Sequence, residues 1–193
     1  MPAEADDRSD AELMSDVAEG DHHAFTELMS RYKTPLFRFI LRYVGSPADA
    51  EDLLQDVFVS VYSKAATYDP AWKASTWIYR IALNKCRDHG RKQRLRRFFS
   101  IDKRDDEDDG RFVAEPADPG ASVESIVAGR QELASLTSAI EQLPHNLRSA
   151  LVMHSIEGRS QTECAEILGV SRKSVEMLVY RARKQLRAQL GED

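Results

Sequence analysis

Cysteine is scarce in this chain: Cys86 and Cys164 are the only two in 193 residues, 78 positions apart. A pair so separated, in surroundings that look helical, suggests neither a disulfide framework nor a paired metal knuckle, and both are expected to be small buried thiols. No stretch approaches 18 consecutive apolar residues, so no membrane insertion is expected. The N-terminus, Met1-Pro2-Ala3-Glu4-Ala5-Asp6-Asp7, is acidic where a secretory signal needs a positive start and an apolar run. A cytoplasmic location is therefore expected. The histidines, His22, His23, His89, His145 and His154, form no ligand pattern with a cysteine or with each other, so no metal site is expected. The motifs GxxxxGK[ST], GxGxxG, GxSxG and HExxH are absent. With no nucleophile, metal set or paired catalytic carboxylates in view, the expectation is a protein that is not an enzyme and carries no cofactor.

What the sequence does have is segregated charge. The formal net charge is −5, with 31% charged and 42% hydrophobic residues, enough apolar material for a packed core. From Met1 to Asp21, Arg8 faces eight acids. From Asn84 to Arg104, nine Lys or Arg face only Asp88 and Asp102. Five acids in succession follow, Asp105 to Asp109, and from Arg172 to Arg187 six bases face only Glu176. Two basic stretches in an acidic chain point to two contacts with polyanions.

The first organised segment reads as helices. Asp21 can cap a helix carrying Phe25, Leu28, Met29 and Tyr32; Pro35 is expected to bend or restart it, and Leu36, Phe37, Ile40, Leu41 and Val44 resume the stripe until Gly45. Ser46 as cap with Pro47 at the first helical position then starts a helix with Leu53, Leu54, Val57, Phe58, Val61, Tyr62 and Ala65 on one side. Asp49, Asp52 and Asp56 recur at spacings of three and four on another face, beside Glu51 and Gln55. Such a face is either a solvated surface or a dock for a basic partner. After the loop around Trp72, Ser75 or Thr76 can cap a helix running to about Arg91, with Trp77, Ile78, Ile81, Ala82 and Cys86 inward. Thr76, Arg80, Asn84, Arg87 and Arg91 share its other stripe, guanidiniums suited to phosphates and an amide suited to a base edge.

From residue 98 to 129 the chain shows little apolar periodicity and reads as a flexible acidic linker, which divides it into two small domains. Leu133, Leu136, Ile140 and Leu143 begin the second domain and are broken at Pro144. Leu147, Leu151, Val152 and Ile156 follow, ending at Gly158. Ser160 and Glu163 form a capping box. Residues 161 to 180 fit a helix-turn-helix: Ala165 at a close helix approach, Gly169 in the turn, Ser171 as cap, and Cys164, Leu168, Val170, Val175 and Leu178 packing inward. Arg172, Lys173, Glu176, Met177 and Tyr180 then face outward, while Arg181, Arg183, Lys184 and Arg187 suit phosphates or the helix C-terminus.

Asp49-Ala50-Glu51-Asp52-Leu53-Leu54-Gln55-Asp56-Val57-Phe58, followed by Ser75-Thr76-Trp77-Ile78-Tyr79-Arg80-Ile81-Ala82-Leu83-Asn84, resembles conserved region two of bacterial RNA polymerase sigma factors, in particular the small extracytoplasmic-function class of the sigma-70 family. The helix-turn-helix resembles region four of the same family, with Glu176 standing where the family usually has a basic residue. The resemblance implies an all-α protein of two helical domains. Residues 1–20 would be an acidic extension with the start of the first helix, 21–97 the region-two domain, 98–129 the linker and 130–193 the region-four domain. It implies a factor that binds core RNA polymerase, through the clamp helices of the largest subunit and the flap, and directs it to promoter DNA. In that scheme Asp49, Glu51, Asp52, Gln55 and Asp56 meet the polymerase. Trp72, Ser75, Thr76, Trp77, Arg80, Asn84, Arg87 and Arg91 recognise and open the minus-ten element. Ser171, Arg172, Lys173, Ser174, Glu176, Met177, Tyr180 and Arg181 read the minus-thirty-five element. An anti-sigma factor and a stress or envelope response are further implications. The rival class, a free-standing helix-turn-helix repressor or activator, accounts for the second domain but for neither the Asp49 stripe nor the Thr76 stripe.

Overall fold

A computed structural model describes residues 8–99 and 123–191, and all of its elements are helical. Helix α1 (Asp10–Ala18) opens on a capping box, in which the Ser9 hydroxyl accepts the Glu12 amide while the Glu12 carboxylate accepts the Ser9 amide. The Ser9 hydroxyl and amide hold the Glu12 carboxyl below its usual range. Nine residues are too few for a helix stable on its own. Tertiary packing holds it, because Leu13, Met14 and Val17 are buried and Asp10 binds Arg31 on the next helix. The acidic residues 10–18, expected in an extension ahead of the first domain, are thus part of that domain's core.

Helix α2 (His22–Val44) starts at Asp21, whose carboxylate accepts the His23 and Ala24 amides. Pro35 was expected to bend or restart it, and the helix instead runs through unbroken. Pro35 adds no amide to the helical ladder, but Tyr32, Leu36, Phe39 and Ile40 around it are buried. Each such side chain contributes about 1.5–3 kcal/mol relative to exposure, so the four together outweigh the cost of one interior proline, about 3 kcal/mol. Gly45, at φ 79°, closes α2 in the left-handed conformation. Helix α3 (Pro47–Lys64) follows at once from the Ser46 cap and passes into a tight turn over Ala65–Thr67. Helix α4 (Ala74–Phe99) begins ahead of Ser75 and Thr76, which therefore lie in its first turn and do not cap it, and it continues well past Arg91. Phe39 packs between Tyr43 and Tyr79, ring centroids 6.1 and 5.5 Å away, tying α2 to α4.

The second lobe comprises α5 (Val123–Gln142), α6 (His145–Leu151), α7 (Gln161–Leu168) and α8 (Arg172–Leu190). The C-terminal end of α6 widens into a π-helical turn over Val152–Ile156. Its core joins Leu143, Leu147, Leu151 and Met153 to Ile167, Val175, Val179 and Leu186. Several inward assignments differ from the sequence pattern: Leu133, Leu136, Ile156 and Val170 are exposed, while Val179 is buried. The residues expected in the linker at 98–99 and 123–129 are helical. Asp105 to Asp109 lie outside the described residues. The two lobes touch, α7 against α4 and both α5 and the π turn against α2. Among the described residues, no helix is long and apolar enough to cross a membrane.

Candidate nucleic-acid interface

The acidic stripe of α3 divides into two parts. Asp49, in the first turn where the helix dipole favours a carboxylate, is half-buried; it accepts a hydrogen bond from Gln93 Nε2 at 3.2 Å and lies 3.4 Å from His89 Nε2. Asp56 lies 3.8 Å from Lys85 Nζ. Both contacts come from α4, so these two acids also fasten α3 to α4, through partners that the one-helix pattern did not reveal. Glu51, Asp52 and Gln55 are exposed and make no hydrogen bond or ion pair with the described residues. A groove of about 520 Å³ separates this acidic wall from Lys85, Lys92 and Arg96 on α4.

The stripe of α4 is graded along its length. Asn84, Arg87 and Arg91 are exposed; Arg87 Nη2 donates to Asn84 Oδ1 at 2.9 Å and Arg91 Nη2 to Asp88 Oδ1 at 2.7 Å. The N-terminal half is covered. Thr76 is only 4% exposed, its hydroxyl 3.4 Å from Glu166 Oε2, and Arg80 donates twice to the Glu166 carbonyl, from Nε at 3.1 Å and Nη2 at 2.6 Å. Trp72, exposed in the loop before α4, stacks on the Arg80 guanidinium at 4.6 Å. Ser75 and Trp77 are half-buried, and Trp77 packs edge-on against Tyr68. An outward face from Thr76 to Arg91 was expected, and in this structure its first two members face the second lobe.

The helix-turn-helix is built by local chemistry. The Ser160 hydroxyl accepts the Glu163 amide at 3.2 Å and the Glu163 carboxylate accepts the Ser160 amide at 3.0 Å; these bonds hold the Glu163 carboxyl below its usual range. Gly169, at φ 67°, ends α7 in the left-handed region. Ser171 then caps α8, accepting the Ser174 amide at 3.1 Å, and the Ser174 hydroxyl is occupied with that of Ser171 at 2.8 Å. Val175, Val179, Ala182 and Leu186 are buried at spacings of four, three and four. Consequently Arg172, Lys173, Glu176, Met177, Tyr180 and Arg181 stand exposed on the opposite side. Cys86 and Cys164 are buried and unbridged, burial pushing their thiols up to about 12 and about 11.

A basic helix in one lobe and a helix-turn-helix with an exposed, cation-rich face in the other are features of a DNA-binding protein. Residues 28–96 match the family Sigma-70 region 2, and residues 133–186 match Sigma-70, region 4. The chain belongs to the extracytoplasmic-function (ECF) class of the sigma-70 family, the sigma factors that direct RNA polymerase to promoters, and like them it is not an enzyme. It is 35% identical over 186 residues to the RNA polymerase sigma factor CnrH of Cupriavidus metallidurans, covering 96% of both chains. It is 33% identical to the ECF sigma factor SigM of Mycobacterium tuberculosis, over 96% of this chain and 86% of that one. The solved structure of CnrH in complex with the cytosolic domain of CnrY superposes with a TM-score of 0.67 at 31% identity, over 96% of this chain and 99% of that one. A second, of the sigma factor RpoE in complex with the anti-sigma factor NepR from Bartonella quintana, shares the fold at TM-score 0.63 and 21% identity, over 88% and 98%.

Proposed function

We propose that the exposed part of the α3 stripe, Glu51, Asp52, Gln55 and Asp56, docks on the clamp helices of the polymerase's largest subunit, with Asp49 mainly bracing α3 against α4. Trp72 and the α4 stripe from Ser75 to Arg91 take the minus-ten element, and the exposed face of α8 takes the minus-thirty-five element while its lobe meets the flap. The observation that carries this assignment is the division of α8: its apolar positions are buried and Arg172, Lys173, Glu176 and Tyr180 are exposed at the N-terminal end, the part of a recognition helix that enters the major groove. Arg172 or Lys173 can donate to guanine O6 and N7, and Glu176 can accept from a cytosine amino group. The factor works in the cytoplasm and is restrained by an anti-sigma protein; CnrH, similar along almost the whole chain, has been solved with the cytosolic domain of CnrY. The test is a promoter-variant series with the Arg172→Ala holoenzyme. A loss of about 1–3 kcal/mol at one upstream base position is expected; an equal loss on every promoter would make Arg172 a phosphate contact and refute base reading by this residue.

A further inference from the structure

A cavity of about 510 Å³ lies between the C-terminal half of α4, the end of α2 and the start of α6, within the range of about 300–1,000 Å³ that small-ligand sites occupy. Its inner lining is apolar, with Tyr43, Cys86 and Leu143 buried. Its walls carry the guanidiniums of Arg87, Arg91, Arg94 and Arg148 against a single acid, Glu141. Arg87 donates to Asn84 Oδ1 and Arg91 to Asp88 Oδ1, whereas Arg94 and Arg148 make no ion pair with the described residues. Arg148 is half-buried, lies 5.0 Å over the Tyr43 ring and donates only to carbonyls, those of Tyr43 at 3.2 Å and Leu143 at 3.4 Å. Its Nε is buried without a partner. Burial pulls the Arg148 pKa down, with Tyr43 and Glu141 opposing; neutral carbonyls replace only part of the solvation that a covered cation loses, and an anion would replace more. The field of these cations reaches His145, another lining residue, whose pKa is lowered by burial first and then by Arg87 and Arg148. At the mouth, Phe98 is 70% exposed, an aromatic face beside guanidiniums and available to a flat ring.

We propose that this cavity binds a nucleoside diphosphate, its phosphates between Arg94 and Arg148 and its base against Phe98. Two guanidiniums without carboxylate partners match a diphosphate in charge and in the forked geometry of their donors. A duplex backbone could follow the exposed Arg87 and Arg91, but the covered Arg148 is served only by a ligand small enough to enter. The site is defined by binding alone and needs none of the assignments to DNA or polymerase, to which neither Arg94 nor Arg148 belongs.

The test is a calorimetric titration of the full chain with ADP and with GDP at physiological salt, and with adenosine, guanosine and inorganic pyrophosphate as the separate halves. ADP or GDP should bind at least about tenfold more tightly than either of its halves, because both ends of the ligand are held. Arg148→Gln and Arg94→Ala should each weaken that binding by about tenfold or more, the loss of a charge-assisted hydrogen bond. Phe98→Ala should weaken the nucleotide and leave pyrophosphate within about twofold, since it removes only a stacking face. Lys92→Ala, on α4 but outside this cavity, should alter affinity by less than about twofold, as for an exposed charge. Arg94 is exposed, so its variant decides the matter even if Arg148→Gln loses helicity by circular dichroism. Binding of neither ADP nor GDP overturns the proposal. A loss from Lys92→Ala equal to that from Arg94→Ala also overturns it, making the attraction a diffuse one to a basic surface. Pyrophosphate binding as tightly as the nucleotide removes the base from the site. Vesicles of phosphatidylglycerol that bind in an Arg148-dependent way, where the nucleotides do not, give the cavity to a lipid phosphate instead.

Discussion

Reversing two acids on α3, Asp52→Lys with Asp56→Lys, should separate polymerase docking from folding. Asp52 is exposed and the Asp56 side chain is 63% exposed, 3.8 Å from Lys85; an ion pair that open contributes about 0–1 kcal/mol to stability. The double reversal should therefore lower stability by less than about 1 kcal/mol. Asp49 is different. Its side chain is 27% exposed and accepts a hydrogen bond from Gln93 across the α3–α4 seam, so Asp49→Lys loses a dipole contact of about 0.3–1 kcal/mol and a hydrogen bond of about 1 kcal/mol. On the polymerase the order inverts. Each reversal removes one exposed attraction and installs a repulsion, about 0.5–1 kcal/mol in each direction, so two sites together weaken association by about 2–4 kcal/mol. At 1.4 kcal/mol per factor of ten that is at least about thirtyfold in Kd. The assay is a fluorescence titration of labelled factor with core enzyme at two salt concentrations, since the effect should shrink as the Debye length falls. Unchanged Kd at low salt with intact helicity, or a greater loss from Asp49→Lys alone, would refute the assignment of the exposed acids to docking.

Three further outcomes are expected. Arg91→Ala in the holoenzyme should weaken promoter binding with little sequence preference and reduce the salt slope by about one, measured by filter binding across salt. Gly45→Ala puts a Cβ at φ 79°, against the Glu141 side chain and 3.1 Å from Thr137 Cγ2; left-handed strain of about 1–2 kcal/mol should lower Tm by about 2–4 °C per kcal/mol in a calorimetric scan. The third concerns pH. Burial, with Arg87 and Arg148 adding to it and Asp88 opposing, lowers the His145 pKa to about 4, and Tyr43 shares its hydrogen bond. A ring released to solvent binds its proton near about pH 6.5, so the contact at His145 is at full strength above that value and weakens as pH falls toward 4. His145→Gln should flatten this acid dependence of lobe separation, followed by scattering between pH 7 and 4.5.

Local chemistry made much of this architecture legible. Ser46 with Pro47, the reciprocal Ser160 and Glu163, Gly169 and Ser171 satisfy or end helix termini within a few residues, and each marks a boundary that the structure shares. The α8 face was equally readable, because a buried stripe of four residues determines which side is left for DNA. Helix α1 was not, since its three apolar residues sit among acids and acquire their meaning only by packing on α2. The length of α4 was hidden for a related reason: beyond Cys86 it is basic and largely exposed, with few apolar residues to carry a helical period. The covered end of its stripe could not be read at all. A guanidinium spaced to meet phosphate is equally suited to a helix C-terminus, and only the fold brings Glu166 to Arg80. Leu133 and Leu136 show the converse, an apolar stripe on α5 that no neighbouring helix among the described residues covers completely.

The central claim is that this chain directs polymerase to promoters through two DNA contacts that act once it has joined the enzyme. Transcription of the source bacterium's genomic DNA by core polymerase, with and without the purified factor, followed by sequencing of transcript 5′ ends, tests it most directly. The factor should create a set of new start sites that share two short elements about ten and thirty-five positions upstream. Lys substitution of Asp52 and Asp56 should erase the whole set, and Arg172→Ala should reshuffle it according to the upstream element. Start sites identical with and without the factor, or a set indifferent to both substitutions, would contradict the account.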